Sequence, residues 1–345
     1  MQHLFVEILR LCEKAGLVKF GHISLDGTKI KANASKHKAM SYGRMKKDAK
    51  RLQKEISELL KQAEQTDERE DRLYGIDKRG DELPEELARR ETRLARIKEA
   101  KRALEQEAKE QAEDDDKPKS PPDKHLPMAR VKTELDAKTG KTKVADDAQR
   151  NFTDPDSRIM PYQKTFVQGY NAQVAVDSAH QIIVATDLTN HPTDDALLPF
   201  MVSRLPRKPK AFSADAGYSV KEEGLEYLKK KRIDAYIAIK GQKHDRSIGE
   251  GRAPRGPIPG DLTIKERMKR KLLTVKGRRL YARRKCIVEP PIGQIKHVQG
   301  IRQFSLRGYV NARAEWFLIA ASHNLRKLFR AWSDEPRRRK LLFAG

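Results

Sequence analysis

The chain reads as an α/β protein, a mixed sheet flanked by helices with an antiparallel helical hairpin inserted into it. Three observations predict this. Short apolar runs alternate with helical patterns between residues 161 and 330. A similar apolar run stands far upstream, at residues 22–25. Between them, residues 42–115 are almost wholly charged residues, Leu, Ala and Gln. Strands that alternate with helices build a layered α/β core, whereas a long charged block with a thin apolar seam builds a solvated helix pair.

The elements follow in order. Residues 1–20 hold Leu4, Ile8, Leu11 and Cys12 at helical spacing. Glu7, Arg10 and Glu13 interrupt them, so this is a short amphipathic helix and not a signal peptide. Residues 21–41 open the core. His22 to Leu25 reads as a strand ended by Asp26-Gly27, and the alternating residues after it as a returning strand. In the block 42–115, Leu52, Ile56, Leu59 and Ala63 recur at steps of four, three and four. Leu87, Leu94, Ile97 and Leu104 resume that seam after a break containing Gly75, Gly80 and Pro84. The spacing predicts two helices joined by a turn. A helix pair that packs only on itself is the plain interpretation, and a partner-binding or dimerising arm the functional one.

Residues 116–160 are a charged, proline-containing linker and an irregular segment. Residues 165–189 read as two strands joined by a turn near Asp177-Ser178-Ala179-His180. A helix follows with Thr193 as its N-cap. "KAFSADAGY" is a strand, and "SVKEEGLEYLKKKR" a helix with Ser219 and Glu222 in capping-box positions. "IDAYIAIK" is a further strand, residues 241–261 a basic loop, and the remainder mainly helical, ending in a basic tail at 331–345. With the hairpin set aside, a β-hairpin followed by α–β–α–β is a mixed sheet. An RNase H-like core has this strand order.

Composition narrows the partners. Lys and Arg number 73 against 49 Asp and Glu, a net charge of +24. Such an excess favours a polyanion, nucleic acid first, although a ribosome-associated or membrane-surface protein would share it. Two separated cysteines, Cys12 and Cys286, argue against a disulfide framework or a Cys-rich zinc site. No apolar run is long enough to span a bilayer.

Against that charge stand three carboxylates, each in its own motif. They are Asp26 in "ISLDGTKI", Asp215 in "FSADAGYS" and Glu289 in "YARRKCIVEPPIGQIK". Cleaving a phosphodiester without a covalent intermediate requires an activated hydroxyl and a neutralised leaving oxygen. Two Mg²⁺ ions about 3.5–4 Å apart do both, and such hard cations take carboxylate oxygens. Each motif alone has a simpler meaning: Asp-Gly is commonly a turn, and a Glu ahead of two prolines suits a helix start. Lys296 lies seven residues beyond Glu289, which returns it to within about 20° of the same face of an unbroken helix. There it would meet a phosphate. Arg284 offers a bidentate phosphate contact and Tyr281 a stacking surface. Lys240 and Lys243 in "IKGQKH" are further candidate phosphate contacts. Asp154 and Asp156 flank Pro155 and read as turn-formers or metal neighbours. Gln168, Asn171 and Gln173 read as polar surface or as lining for a DNA groove.

Taken together, "LDGTKIKANAS", "TDPDSRIM", "GYNAQVAVD", "ADAGYS" and "VEPPIGQIK" resemble a bacterial insertion-sequence transposase of the DDE class. The last block is similar to the Tyr-x2-Arg-x3-Glu-x6-Lys signature of cut-and-paste elements, with one residue more between Arg284 and Glu289. The resemblance spans residues 20–330 outside the helical block. It implies an RNase H-like catalytic core, Mg²⁺ or Mn²⁺ as two ions, and Asp26, Asp215 and Glu289 as the metal-holding triad. It implies Tyr281, Arg284 and Lys296 as DNA contacts. Cleavage would fall at terminal inverted repeats, followed by transfer of the freed 3′-OH into target DNA, in a complex that is at least a homodimer. The setting would be the bacterial cytoplasm, at the nucleoid, with no membrane partner. Relatives carry an N-terminal helical domain, of which residues 1–20 match only a last helix. A truncated, inactive DNA-binding remnant and a non-transposing RNase H-like nuclease are the alternative functions.

Overall fold

The computed structural model describes residues 1–74, 85–115, 120–136, 142–239 and 253–334. They form two compact units, the first of Met1–Ala34, Ser120–Ala129 and Asp156–Gly345, the second of Ser35–Lys119 and Arg130–Pro155. Among the described residues no helix is long and apolar enough to cross a membrane. Lys240, Lys243, the Gly75–Pro84 break and the basic tail beyond 334 lie outside the described residues.

The first unit is built on one sheet. Strand β1 (His22–Lys31) pairs antiparallel with β7 (Thr165–Asp177), from Ile23↔Asp177 to Lys31↔Gly169. On its other edge β1 runs parallel to β9 (Ala211–Ala214), which in turn runs parallel to β10 (Ala235–Ile237). The outer edge of β7 is shared by β8 (Ile183–Thr189) and β6 (Arg158–Tyr162), both antiparallel to it. The spatial order through the middle is therefore β8-β7-β1-β9-β10.

This corrects one expectation. Residues 22–31 form a single ten-residue strand instead of a strand, an Asp-Gly turn and a return. The turn preference of Asp26-Gly27 is local. It loses to the continuous ladder that β7 offers.

Helices cover the sheet. Helix α1 (Gln2–Lys14) buries Phe5, Ile8, Leu9 and Cys12, while Leu4 and Leu11 face outward. The buried face is thus rotated from the expected one, because α1 packs on α8 (Tyr309–Asp334), with the Phe5 and Phe317 rings 6.0 Å apart. Helix α8 is anchored to β8 by polar contacts inside the core. The Asn324 side chain accepts from Ile183 N–H at 2.9 Å and donates to its carbonyl at 2.8 Å. The Trp316 indole N–H donates to the Thr186 hydroxyl at 2.7 Å. The buried Asn324 amide and Trp316 indole are thereby satisfied, which keeps the docking specific.

Helix α4 (Leu198–Ser203) starts later than expected, after Leu197. The Thr193 hydroxyl donates to Asp195 and caps nothing. The Ser219 hydroxyl closes a 3₁₀ turn at Ala216–Ser219, and α5 (Glu222–Lys230) begins after Lys221. Helix α6 (Ile264–Leu273) carries a capping box, Thr263 with Glu266. Helix α7 (Val275–Gly293) passes through Pro290 and Pro291 into a π-helical turn, Gln294–Val298.

In the second unit, α2 (Tyr42–Tyr74) and α3 (Glu85–Asp115) run antiparallel, with Tyr42 bonded to Glu105 at 2.6 Å and Arg90 to Glu55 at 3.1 Å. Met45, Leu52, Ile97 and Leu104 form their seam, closed at one end by Val131, Val144 and Ala148. Two short pairs accompany the helices: β2 (Ala39–Ser41) with β5 (Gln149–Asn151), and β3 (Thr133–Leu135) with β4 (Thr142–Val144).

Candidate active site

The register of the parallel strands sets the site. Leu25 of β1 pairs with Ala214 of β9, so Asp26 and Asp215 follow side by side. Asp26 remains inside the ladder, opposite Val174 of β7. Asp215 has just left β9, and its Oδ1 accepts the Gly217 N–H at 2.9 Å, capping the 3₁₀ turn. An Asp is favoured there because its short acceptor satisfies a free backbone N–H.

Asp26 is four-fifths buried and held on both oxygens. Oδ1 accepts from Gly27 N–H at 2.9 Å, and Oδ2 from Arg284 Nη1 at 3.0 Å. Burial nevertheless pushes its pKa up to about 6. Arg284 and the Gly27 N–H pull it down, while the charges of Asp215 and Asp194 add to the rise. Desolvation and like charge thus outweigh one good ion pair.

Asp194 is the residue that sequence reasoning missed. It lies in the loop between β8 and α4 and accepts from Asn171 Nδ2 at 2.7 Å and Gln173 Nε2 at 2.8 Å. Lys29 Nζ stands 3.8 Å away. A signal was present: Asn171 and Gln173 are two apart on β7 and so share a face, and two amides on one buried face require an acceptor. Gln173 also accepts from the hydroxyl of fully buried Tyr218, whose pKa burial raises well above its ordinary value. Burial lowers the pKa of Lys29, opposed by Asp194, Asp215 and Asp26. Gly27 fits because a β-carbon there would collide with Gln173, Asp194 and Asn171.

The other expected residues are spread along α7 and its extension. Arg284 is buried against Asp26, with its guanidinium 5.9 Å from the Tyr281 ring centre. Burial raises the Tyr281 pKa, with Arg284 opposing. Tyr281 packs beside Ala211, Tyr236 and Leu272. Glu289 is exposed. It lies five residues beyond Arg284, about 140° around the helix. Lys296 is buried, its Nζ donating to the Lys29 carbonyl at 2.9 Å and lying 5.0 Å from the Tyr162 ring centre. Burial lowers its pKa to about 8, helped by Arg302 and Lys29. Lys296 lies within the π-helical turn Gln294–Val298, so the unbroken helix assumed for its common face with Glu289 is absent.

Asp156 Oδ2 accepts the Tyr309 N–H at 2.9 Å at the start of α8. Asp154 is buried, its N–H donating to Asn151. Gln168 is buried and donates to Ser157, so none of the three β7 amides is open surface.

Among the described residues no three His, Cys, Asp or Glu side chains gather as a ready metal cluster. The donor chemistry still suits a hard divalent cation. Mg²⁺ binds through one or two carboxylates and keeps several waters, and Asp26 within β1 and Asp215 just past β9 are two such carboxylates on adjacent strands.

No curated protein and no solved structure matches the chain. A family model described as a transposase DDE domain matches residues 130–325, which include Asp194, Asp215 and Glu289. That match covers more than half of the sequence, and the chain belongs to the DDE transposase domain family.

Proposed function

We propose that this protein is a DNA transposase that cleaves transposon ends and transfers the freed 3′-OH to target DNA, using divalent metal held by Asp26 and Asp215 with Glu289 completing the set. The observation that carries the reading is the Leu25↔Ala214 pairing, which sets two carboxylates side by side within a chain of net charge +24. The sheet order β8-β7-β1-β9-β10, with β1, β9 and β10 parallel, supports an RNase H-like core.

A bound Mg²⁺ supplies an activated nucleophile and charge neutralisation at the leaving oxygen. The chain's own residues prepare the rest. The raised pKa of Asp26 reflects negative charge concentrated in a desolvated place, which a cation relieves. Arg284 holds Oδ2 of Asp26; a cation held by Asp26 would weaken that pair and leave the guanidinium for a phosphate. Asp194 is a positioning residue: it fixes the amides of Asn171 and Gln173 beneath Gly27. Tyr281, close to the Arg284 guanidinium, and Lys296 are proposed as further DNA contacts. In this reading the active complex is at least a homodimer, because two ends must be joined.

The test is cleavage of a labelled duplex carrying the element's terminal repeat, in Mn²⁺, beside a scrambled duplex and an Asp215→Asn variant. Nicking confined to the repeat and absent in the variant supports the reading. Equal, Asp215-dependent cutting of both duplexes replaces it with a plain nuclease.

A further inference from the structure

Lys29 lies at the carboxylate centre without a role in it so far. In the β1–β7 ladder Lys29 pairs with Asn171, and Gly27 pairs with Gln173. Residues two apart on a strand share a face, so these four lie together. Asp194 closes over them. Its Oδ1 accepts from both amides, with Lys29 Nζ 3.8 Å away. The Lys29 side chain is only 14 % exposed.

The same carboxylate borders Asp215. A β-carbon on Gly217 would stand 3.0 Å from Asp215 Oδ1 and 3.7 Å from Asp194 Oδ2. The charges of Asp194, Asp215 and Asp26, in that order, support the Lys29 ammonium against the effect of burial. A buried ammonium is kept only where carboxylates compensate its lost hydration. Here it is held where three aspartates meet.

Charge then limits what else can bind. Asp26 already holds Arg284 at 3.0 Å, and Asp194 holds Lys29. Among the described side chains, three aspartates stand against these two cations, and Glu289 would make a fourth carboxylate. One divalent ion covers that difference. Two would leave an excess of positive charge in a desolvated place, where repulsion is strong. The ligands point the same way. Asp194 Oδ1 is taken up by two amides and faces Lys29, so Asp194 offers little to a second ion.

We propose that the Lys29 ammonium takes the electrostatic place of a second metal ion, so that the carboxylate centre binds one divalent cation and not two. This rests on the reading of Asp26 and Asp215 as metal ligands. Lys29 is a fixed counter-charge built into β1, present before any ion arrives.

The experiment counts Mn²⁺ bound to the full chain by the electron paramagnetic resonance of the free ion. The binding that remains in Asp26→Asn with Asp215→Asn is the background. The wild type saturates at one ion per chain above it. Lys29→Gln removes a unit charge near the ion and tightens its binding at least about tenfold. Lys29→Arg keeps the charge and binds as the wild type does. So does Lys14→Gln, an equal charge loss at an exposed position of α1. Thermal melts show which variants are folded, and the wild-type count decides even if Lys29→Gln does not fold. Two ions per wild-type chain, or a folded Lys29→Gln that binds no more tightly than wild type, overturns the proposal and leaves the metal reading standing. No ion above background removes the metal reading itself, and the proposal with it.

Discussion

The Asp26→Asn variant should gain stability relative to wild type as pH rises, by an amount the site geometry sets. Burial lifts the Asp26 pKa from 3.8 to about 6. In the unfolded chain the group ionises near its ordinary value, so between those values the folded state binds a proton that the unfolded state has lost. The associated stability is complete below pH 3.8 and is lost as pH rises through about 6. A displacement of about two pH units corresponds to about 3 kcal/mol. The side chain is only 21 % exposed, so solvent screening takes little of this. Asn resembles the protonated acid in shape and does not titrate. The stability of Asp26→Asn minus that of wild type should therefore grow by about 3 kcal/mol between pH 3.8 and pH 7.5. For a unit of this size that is about 6–12 °C of melting temperature. Matched thermal melts in chelator across that range measure it, and taking the difference cancels every other titrating group. Mn²⁺ should close the gap, because a ligand at a hundred times its Kd adds about 2.7 kcal/mol to the protein that binds it. A flat difference, or a wild type that gains on the variant as pH rises, would refute the account of Asp26 as a carboxylate held at a cost.

Three further outcomes follow from packing and hydrogen bonding. Gly27→Ala would set a β-carbon 2.8 Å from Asp194 Oδ1 and 3.0 Å from Asn171 Oδ1; the overpacking costs about 1–3 kcal/mol, and an unchanged melting temperature would contradict it. Leu104→Ala empties a position 1 % exposed in the helical seam, with an expected loss of about 2–5 kcal/mol, read by far-UV circular dichroism as earlier melting of helix. Asp194→Ala removes the acceptor shared by Asn171 and Gln173 and the anion beside Lys29; cleavage should fall sharply while duplex affinity is retained, and full cleavage would remove Asp194 from the site.

Much of this was legible where the signal is local. The hairpin of β7 and β8 shows in alternating apolar residues and a polar turn. Of the heptad positions on α2 and α3, Leu52, Ile97 and Leu104 are buried in the seam while Ile56 and Leu59 are only partly covered, and Asp215 stands at the end of a strand as its sequence predicts. Long-range partners were not legible. Asp26-Gly27 carries a turn signal that only the ladder to β7 overrides. The face of α1 is set by α8, more than 300 residues away. The Arg284–Asp26 ion pair joins residues 258 apart, which no spacing rule detects. Asp194 sits in a loop, where neither periodicity nor a strand end marks it. The π-helical turn after Glu289 changes the phase of Lys296 by a device that a 3.6-residue wheel cannot anticipate.

The most direct test of the carboxylate centre is Mn²⁺ binding itself, followed by the electron paramagnetic resonance of the free ion. It would be measured with wild type and with Asp26→Asn, Asp215→Asn and Glu289→Gln, each shown to be folded. The account predicts saturable binding by the wild type that either aspartate variant weakens at least tenfold, about 1.4 kcal/mol, with Glu289→Gln weakening it as well. Equal Mn²⁺ affinity in the wild type and both aspartate variants would contradict the account.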